Sequence, residues 1–193
     1  MSTDVRVLIL AAGSSSRMRG RDKLLEPVEG IPLLSRQVAA AQSTGRPVTV
    51  ALPPRPHRRY EQIGRAEGLE VTDAASGMGH SLAAGVAHLS EADAILILLA
   101  DLPEITAEDL EAVLRAERRP DGIARGAAPD GRPGHPILIP KAAFPDFMAL
   151  RGDDGGRGAL ARHPVRLVPL PGQHAVLDLD TPEEWERWRA ART

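Results

Sequence analysis

Ala94 to Ala100 is an unbroken apolar run centred on Ile95-Leu96-Ile97-Leu98-Leu99, and no other segment restricts the fold as strongly. A strand with one face in water alternates apolar and polar residues, whereas a run without alternation is buried on both faces. Such a strand requires helices on either side of a mostly parallel sheet. Val5 to Leu10, rich in β-branched and aliphatic residues and bounded by small ones, predicts another buried strand, the first in the chain and a central one in the sheet. In open α/β sheets ligands bind in the crevice at the carboxyl ends of the strands. The residues that follow these two runs are therefore the first place to look for chemistry.

After Leu10 the chain turns into Ala11-Ala12-Gly13-Ser14-Ser15-Ser16, small residues whose backbone amides an anion can approach closely. Arg17, Arg19, Arg21 and Lys23 follow, with only Asp22 among them as counter-charge. We read the stretch as a polyphosphate cradle. Two familiar phosphate loops are excluded. A Walker A loop requires glycine before Lys23 and Ser or Thr after it, where this chain has Asp22 and Leu24; a dinucleotide fingerprint requires several spaced glycines, where only Gly13 stands. The competing reading is a surface turn whose arginines are merely solvated.

The second run ends in Asp101-Leu102-Pro103. A carboxylate at the tip of a buried strand is costly unless it is solvated, hydrogen-bonded or bound to a cation. Thr106, with Asp109 three residues on, already caps the next helix, so Asp101 is free for a metal, with an Asx-type turn as the alternative. The same reasoning applies near the C-terminus, where Thr181, Pro182 and Glu184 make a complete helix start. Asp178 and Asp180 are then left to share a metal with Asp101.

Between these points the pattern is that of alternating helices and strands. A helix is expected over Pro32 to Gln42, strands over Val48 to Leu52 and Leu69 to Thr72, and a helix over Ser81 to Leu89 opened by the turn Gly77-Met78-Gly79, whose amides could face a ligand. The basic cluster His57-Arg58-Arg59 reads as a solvated helix start. From Gly122 the style changes. Ile123 to Ala128 and Ile137 to Ile139 flank Asp130-Gly131, which predicts a hairpin and one small antiparallel excursion. His135, between Gly134 and Pro136, is expected on a turn with no apolar face to fill, where substrate contact is as good a reading as a structural one. A helix over Ala142 to Leu150 leads to a glycine-rich loop, Gly152 to Gly158, with Arg157 within it. That loop could close over a phosphorylated substrate or serve as a connector. Val165 to Pro169 and Ala175 to Leu179 are expected as the last strands.

At 193 residues the chain suits one α/β domain, residues 1–193. A net charge of -2 argues against bulk nucleic acid or an anionic membrane as partner, so any anion site is local. No cysteine is present, which excludes disulfides and thiolate metal sites. The N-terminal apolar run is too short for a signal peptide and no run reaches membrane-spanning length, so a cytoplasmic location is expected.

Five stretches stand in order along almost the whole chain: Leu10-Ala-Ala-Gly13 with Arg17-Met18 and Lys23-Leu-Leu25; Gly77-Met-Gly-His-Ser81-Leu82; Ala100-Asp101-Leu-Pro103; Gly134-His-Pro-Ile-Leu138; and Asp178-Leu-Asp-Thr-Pro182. Together they resemble the MobA-like nucleotidyltransferase family, and within it the molybdenum cofactor cytidylyltransferases. The resemblance implies a doubly wound, Rossmann-like α/β fold that uses Mg²⁺ to transfer CMP from CTP to the phosphate of a molybdopterin-type acceptor, releasing pyrophosphate, with a recipient molybdoenzyme as a further partner. It implies that Leu10, Ala11, Ala12, Gly13 and Ser14, with Arg17 and Lys23, hold the nucleotide, and that Gly77, Gly79 and Ser81 face its base. Arg17, Lys23 and Asp101 would be catalytic, Asp101, Asp178 and Asp180 would hold the metal, and Gly134, His135 and Pro136 would meet the acceptor. Ala12 matches the Ala-Gly of the cytidylyltransferases, where guanylyltransferases typically carry Gly-Gly. Departures are Arg19, inserted where relatives often have the glycine after Met18, and Ala100 and Leu102 in place of Gly and Met. A guanylyltransferase, a cytidylyltransferase with another phosphorylated acceptor, and a non-catalytic nucleotide or molybdopterin carrier are the alternatives.

Overall fold

The computed structural model describes residues 4–116, 122–152 and 155–192. The chain forms β1 (Val5–Leu10), β2 (Pro27–Val28), β3 (Ile31–Pro32), α1 (Leu33–Ser43), β4 (Val48–Leu52), β5 (Glu67–Glu70), α2 (Met78–His88), β6 (Ala94–Leu99) and α3 (Ala107–Arg115). There follow β7 (Ile123–Ala127), β8 (Pro133–Pro140), α4 (Phe144–Met148), α5 (Arg157–Leu160), β9 (Val165–Pro169) and α6 (Pro182–Ala190). Seven strands make one sheet in the order β5-β4-β1-β6-β8-β7-β9, and β2 with β3 makes a separate two-stranded hairpin. Every pairing in the large sheet is parallel except those of β8, which runs antiparallel to both β6 and β7. That strand is the antiparallel excursion, and the turn before it carries Asp130 and Gly131.

The two apolar runs lie side by side at the middle of the sheet, paired from Val5 with Ala94 to Leu10 with Leu99. Their side chains alternate between two cores. Val7 and Ile9 pack with Leu34 and Val38 of α1, Val113 of α3 and Trp185 of α6, while Leu8 and Leu10 pack with Leu82 and Val86 of α2 and Phe147 of α4. A sheet buried on both faces by helices is what runs without alternation require. The capping assignments hold as well: Thr106 with Asp109, and Thr181 with Glu184, form reciprocal capping boxes.

Three expectations are corrected. Ala175 to Leu179 is not a strand. Val176 and Leu177 both donate to Gln173 O, folding the segment into turns, and Ala175 O is taken by His135 N, so the chain crosses the end of β8 and does not extend the sheet. β5 lies two residues earlier than Leu69 to Thr72, because Leu52 pairs with Glu70. The expected helix over Ala142 to Leu150 begins as a 3₁₀ turn at Lys141–Ala143 and becomes α-helical only at Phe144, with Pro145 in its first turn.

Candidate active site

The loop after β1 is shaped by two 3₁₀ turns, Ser16–Met18 and Lys23–Leu25. Met18 is fully buried and pins the first. What holds the loop is Arg59, which is 2% exposed and not the solvated helix start that its basic cluster suggests. Its Nε and Nη2 each lie 2.7 Å from an oxygen of Asp22, and its Nη1 donates to Ala11 O at 2.6 Å and Gly13 O at 2.7 Å. One guanidinium thus ties the start of the loop to its end, with bidentate geometry that lysine cannot reproduce. Burial alone would raise the Asp22 carboxyl, but the hydrogen bonds and charge of Arg59, with bonds from Leu24 and Ser15, hold it below its ordinary value. The signal for Arg59 was topological: β4 pairs with β1, so residues following β4 sit beside the loop.

The cations of the loop are not short of counter-charge. Distant carboxylates supply it: Lys23 Nζ lies 2.6 Å from Asp101 Oδ2 and 2.8 Å from Asp180 Oδ1, and Arg17 lies 2.6 Å from Asp180 Oδ2. Arg19 pairs with Glu183 and Arg21 with Glu26. Burial works against the charged Lys23, yet Asp101 and Asp180 outweigh it and raise its pKa.

Asp101 stands two residues past β6 and Asp180 just before α6, and with Asp178 they bring ligand oxygens within 4.8 Å of one another. Burial, followed by repulsion from Asp180 and Asp101, pushes the Asp178 carboxyl upward. Asp101 Oδ1 is buried with no hydrogen-bond partner among the described residues. An anionic oxygen without a donor is costly, and three converging carboxylates are a donor set suited to a hard divalent cation such as Mg²⁺ or Mn²⁺.

The other expected site residues are distributed as follows. Leu10, Ala11 and Ala12 are buried, and the Ala12 methyl belongs to the core cluster beneath α2. A Cβ on Gly13 would meet open space, so packing does not demand glycine there. Ser14 is exposed on the loop. Gly77 opens α2 with φ 116°, but the Gly79 amide is committed to Gly152 O at 2.8 Å, and a Cβ on Gly79 would meet the carbonyl oxygens of Arg151 and Gly152. Ser81 is buried. The turn therefore serves the fold at Gly79 and cannot offer that amide to a base.

Gly134, His135 and Pro136 lie inside β8, not on a turn, because the strand begins at Pro133. A Cβ on Gly134 would collide with Ala175 O, which explains the glycine by packing. The His135 Nδ1 is buried and unpartnered among the described residues. Burial and the charge of Arg125 lower the imidazole pKa to about 4, so it is neutral at neutral pH, against opposing contributions from Ile97 and Asp101. In the glycine-rich loop, Asp153 and Asp154 lie outside the described residues, and Arg157 is the first residue of α5.

Residues 7–167 match the MobA-like NTP transferase domain. The purine catabolism protein PucB of Bacillus subtilis (strain 168) is 32% identical over 201 residues, covering 95% of each chain. Among solved structures, the Rv0371c homologue from Mycobacterium sp. strain JC1 is 28% identical with a TM-score of 0.83, covering 99% of this chain and 98% of that one. Rv0371c of Mycobacterium tuberculosis H37Rv is 26% identical with a TM-score of 0.84 over 97% of both chains. A crystal structure of Rv0371c in complex with manganese has a TM-score of 0.78 at 24% identity, over 96% of this chain and 97% of that one. The domain match over most of the length, with the likeness to PucB along nearly all of it, makes this chain a member of the MobA-like NTP transferase family.

Proposed function

We propose that this nucleotidyltransferase-family protein is a cytidylyltransferase that transfers CMP from CTP to the phosphate of a molybdopterin-type acceptor. The observation that carries the reading is the convergence of Lys23, on the loop after β1, with Asp101 and Asp180, beside Asp178. In the reaction an acceptor phosphate oxygen attacks the α-phosphorus in line, the bond from that phosphorus to the bridging oxygen breaks, and pyrophosphate leaves with the electron pair. Asp101, Asp178 and Asp180 would hold a divalent ion, Mg²⁺ in this reading, which supplies charge neutralisation to the phosphates when bound. Rv0371c has been crystallised in complex with manganese, which supports a divalent ion in this reading. Lys23 and Arg17, released from carboxylates that turn to the ion, would face the triphosphate and offset charge that develops in the transition state. Arg59 keeps the loop amides and Lys23 in register.

Ala12 supports CTP over GTP by resemblance. The Bacillus relative's name places that protein in purine catabolism; a recipient molybdoenzyme is the further partner in this reading. The two cores share one sheet, which supports reading residues 1–193 as a single nucleotidyltransferase domain. Among the described residues no helix is long and apolar enough to cross a membrane; a cytoplasmic location is part of the proposal. The test is pyrophosphate release from CTP and GTP with Mg²⁺ or Mn²⁺, with and without a molybdopterin preparation. Acceptor-dependent release from CTP is the expected result. Nucleotide binding without release would favour the carrier reading, and faster release from GTP the guanylyltransferase.

A further inference from the structure

Arg125 breaks the pattern of its own strand. In β7 residues 123, 125 and 127 share a face. Ile123 packs in the core beside α2 and α4, and Arg125 stands across the ladder from Ile137 of the same core. An arginine at such a position carries a desolvation cost. Burial and the charge of Arg157 lower its pKa. Its Nε donates to Gly134 O at 2.9 Å, fixing the guanidinium in the wall of a cavity of about 750 Å³ lined also by Arg132, Arg157, Leu160 and Val176. Arg132 is compensated, with Nε 2.7 Å from Asp130 and Nη2 2.6 Å from Gln173. Neither Arg125 nor Arg157 has a carboxylate partner among the described residues. Two like charges facing one cavity repel, and an anion between them removes that penalty.

The cavity lies on the sheet edge that bears the acidic cluster. Because β8 is antiparallel to β6, its first residues, Pro133 to His135, stand at the carboxyl end of β6, just below Asp101. From Ala175, which accepts from His135 N at 2.9 Å, the chain runs through Val176 of the cavity wall to Asp178 and Asp180. His135 sits between the two sites and feels the charge of both Arg125 and Asp101.

We infer that this cavity seats the phosphate monoester of the acceptor, with Arg125 and Arg157 as its anion ligands, apart from the loop that receives the nucleotide. The inference rests on the reading of the protein as a nucleotidyltransferase with a phosphorylated acceptor. Arginine forks match phosphate oxygens, and the volume is within the usual range for sites that enclose a small ligand.

The experiment is a calorimetric titration with inorganic phosphate as probe, run on nucleotide-free protein and on protein saturated with CTP and Mn²⁺. Wild type, Arg125→Gln, Arg157→Gln and Lys23→Ala are compared. A phosphate site that survives CTP saturation is expected, weakened about tenfold or more in either arginine variant and changed less than about twofold in Lys23→Ala. CTP affinity of the arginine variants stays within about twofold of wild type. Phosphate binding that CTP abolishes, or that is equal in wild type and both arginine variants, overturns the inference. The nucleotide-free titration answers the question even where CTP fails to bind, and that failure counts against the proposed cytidylyltransferase alone. Arg157 is exposed, so Arg157→Gln carries the test if Arg125→Gln does not fold.

Discussion

Two groups of basic residues flank the carboxyl edge of the sheet, and among the described residues carboxylates neutralise one of them and not the other. In the loop after β1 each cation has found a carboxylate: Lys23 with Asp101 and Asp180, Arg17 with Asp180, Arg19 with Glu183, Arg21 with Glu26, and behind them Arg59 with Asp22. In the cavity beside β7, Arg125 and Arg157 have none among the described residues. A paired cation in a partly buried place gains Coulomb energy and loses hydration, so it is stable as it stands and changes partners only when something offers better ones. Two arginines that face one cavity without a carboxylate among the described residues are open to an anion from outside the chain. The loop therefore reads as a site whose charges are exchanged during binding, and the cavity as one whose charges await a ligand.

The sharpest way to break this comparison is to remove the carboxylate that the loop and the proposed metal share. Asp101→Asn keeps the side-chain shape but not the charge, and turnover is expected to fall about a thousandfold or more, since a metal ion supplies several kcal/mol of transition-state stabilisation. Lys23 keeps Asp180, so the unfolding temperature should change little. A folded Asp101→Asn protein that turns over at a near-normal rate would remove Asp101 from the metal site.

Arg59 tests whether a paired cation in the loop region is structural. Arg59→Met leaves Asp22 without its charge partner in a partly buried place, and a loss of about 3 to 5 kcal/mol is expected in urea unfolding near neutral pH. The sign of the pH dependence follows from Asp22. Its folded-state pKa lies below the model-compound value of 3.8, so its stabilisation is present above that value and is lost as pH falls through the lower, folded-state pKa. The gap between wild type and variant should therefore narrow below about pH 4. A gap that holds constant into that acid range would mean that the loss comes from packing, not from the ion pair.

Lys23→Ala should cost less than Asp101→Asn, about 100- to 1000-fold in kcat, the range for one electrostatic donor to developing charge. The competing view, that Lys23 only neutralises Asp101 and Asp180 in the resting protein, predicts a change below about threefold, with tighter binding of Mn²⁺ because its competitor is gone.

How much of this was legible depended on whether the signal was local. The strands β1, β4 and β6, the hairpin around Asp130 and both capping boxes are written in short windows, because burial on two faces and capping each need only a few neighbouring residues. The convergence of Asp101 with Asp178 and Asp180 was also within reach, since capping had left all three without employment. Partners far apart in sequence were not legible. Arg59 and Asp22 are 37 residues apart, and nothing near either announces the other. Ala175 to Leu179 has the composition of a strand, yet the tight approach of Gly134 turned it across the sheet edge. Arg125 was the one missed residue with a local trace, a charge at the core-facing parity of Ile123-Ala-Arg-Gly-Ala127, which alternation rules flag as an exception.

The smallest expected effect concerns the base, because Ala12 is buried in the core and acts at a distance from it. The Ala12 methyl is 7% exposed and packs in the core with Leu10, Ala51 and Leu82, so it does not itself line a base pocket. Its influence must pass through the backbone: a Cβ narrows the conformations open to Ala12 and hence the placement of Gly13, whose carbonyl Arg59 holds at 2.7 Å. Ala12→Gly would loosen that placement and let the loop draw back from a larger ring. A methyl-sized change in a pocket is worth about 1 to 3 kcal/mol, and one acting at second hand belongs at the lower end, so the CTP/GTP ratio of kcat/KM should fall about five- to tenfold. The same substitution should lower stability by about 1 kcal/mol, from the lost methyl contacts and the added freedom of the unfolded chain. Measuring both separates the causes. A ratio that falls while Arg59→Lys, which also frees Gly13, leaves it unchanged would place the base contact elsewhere than on this backbone; a fall in both would show that the paired region sets specificity through the rigidity of its loop.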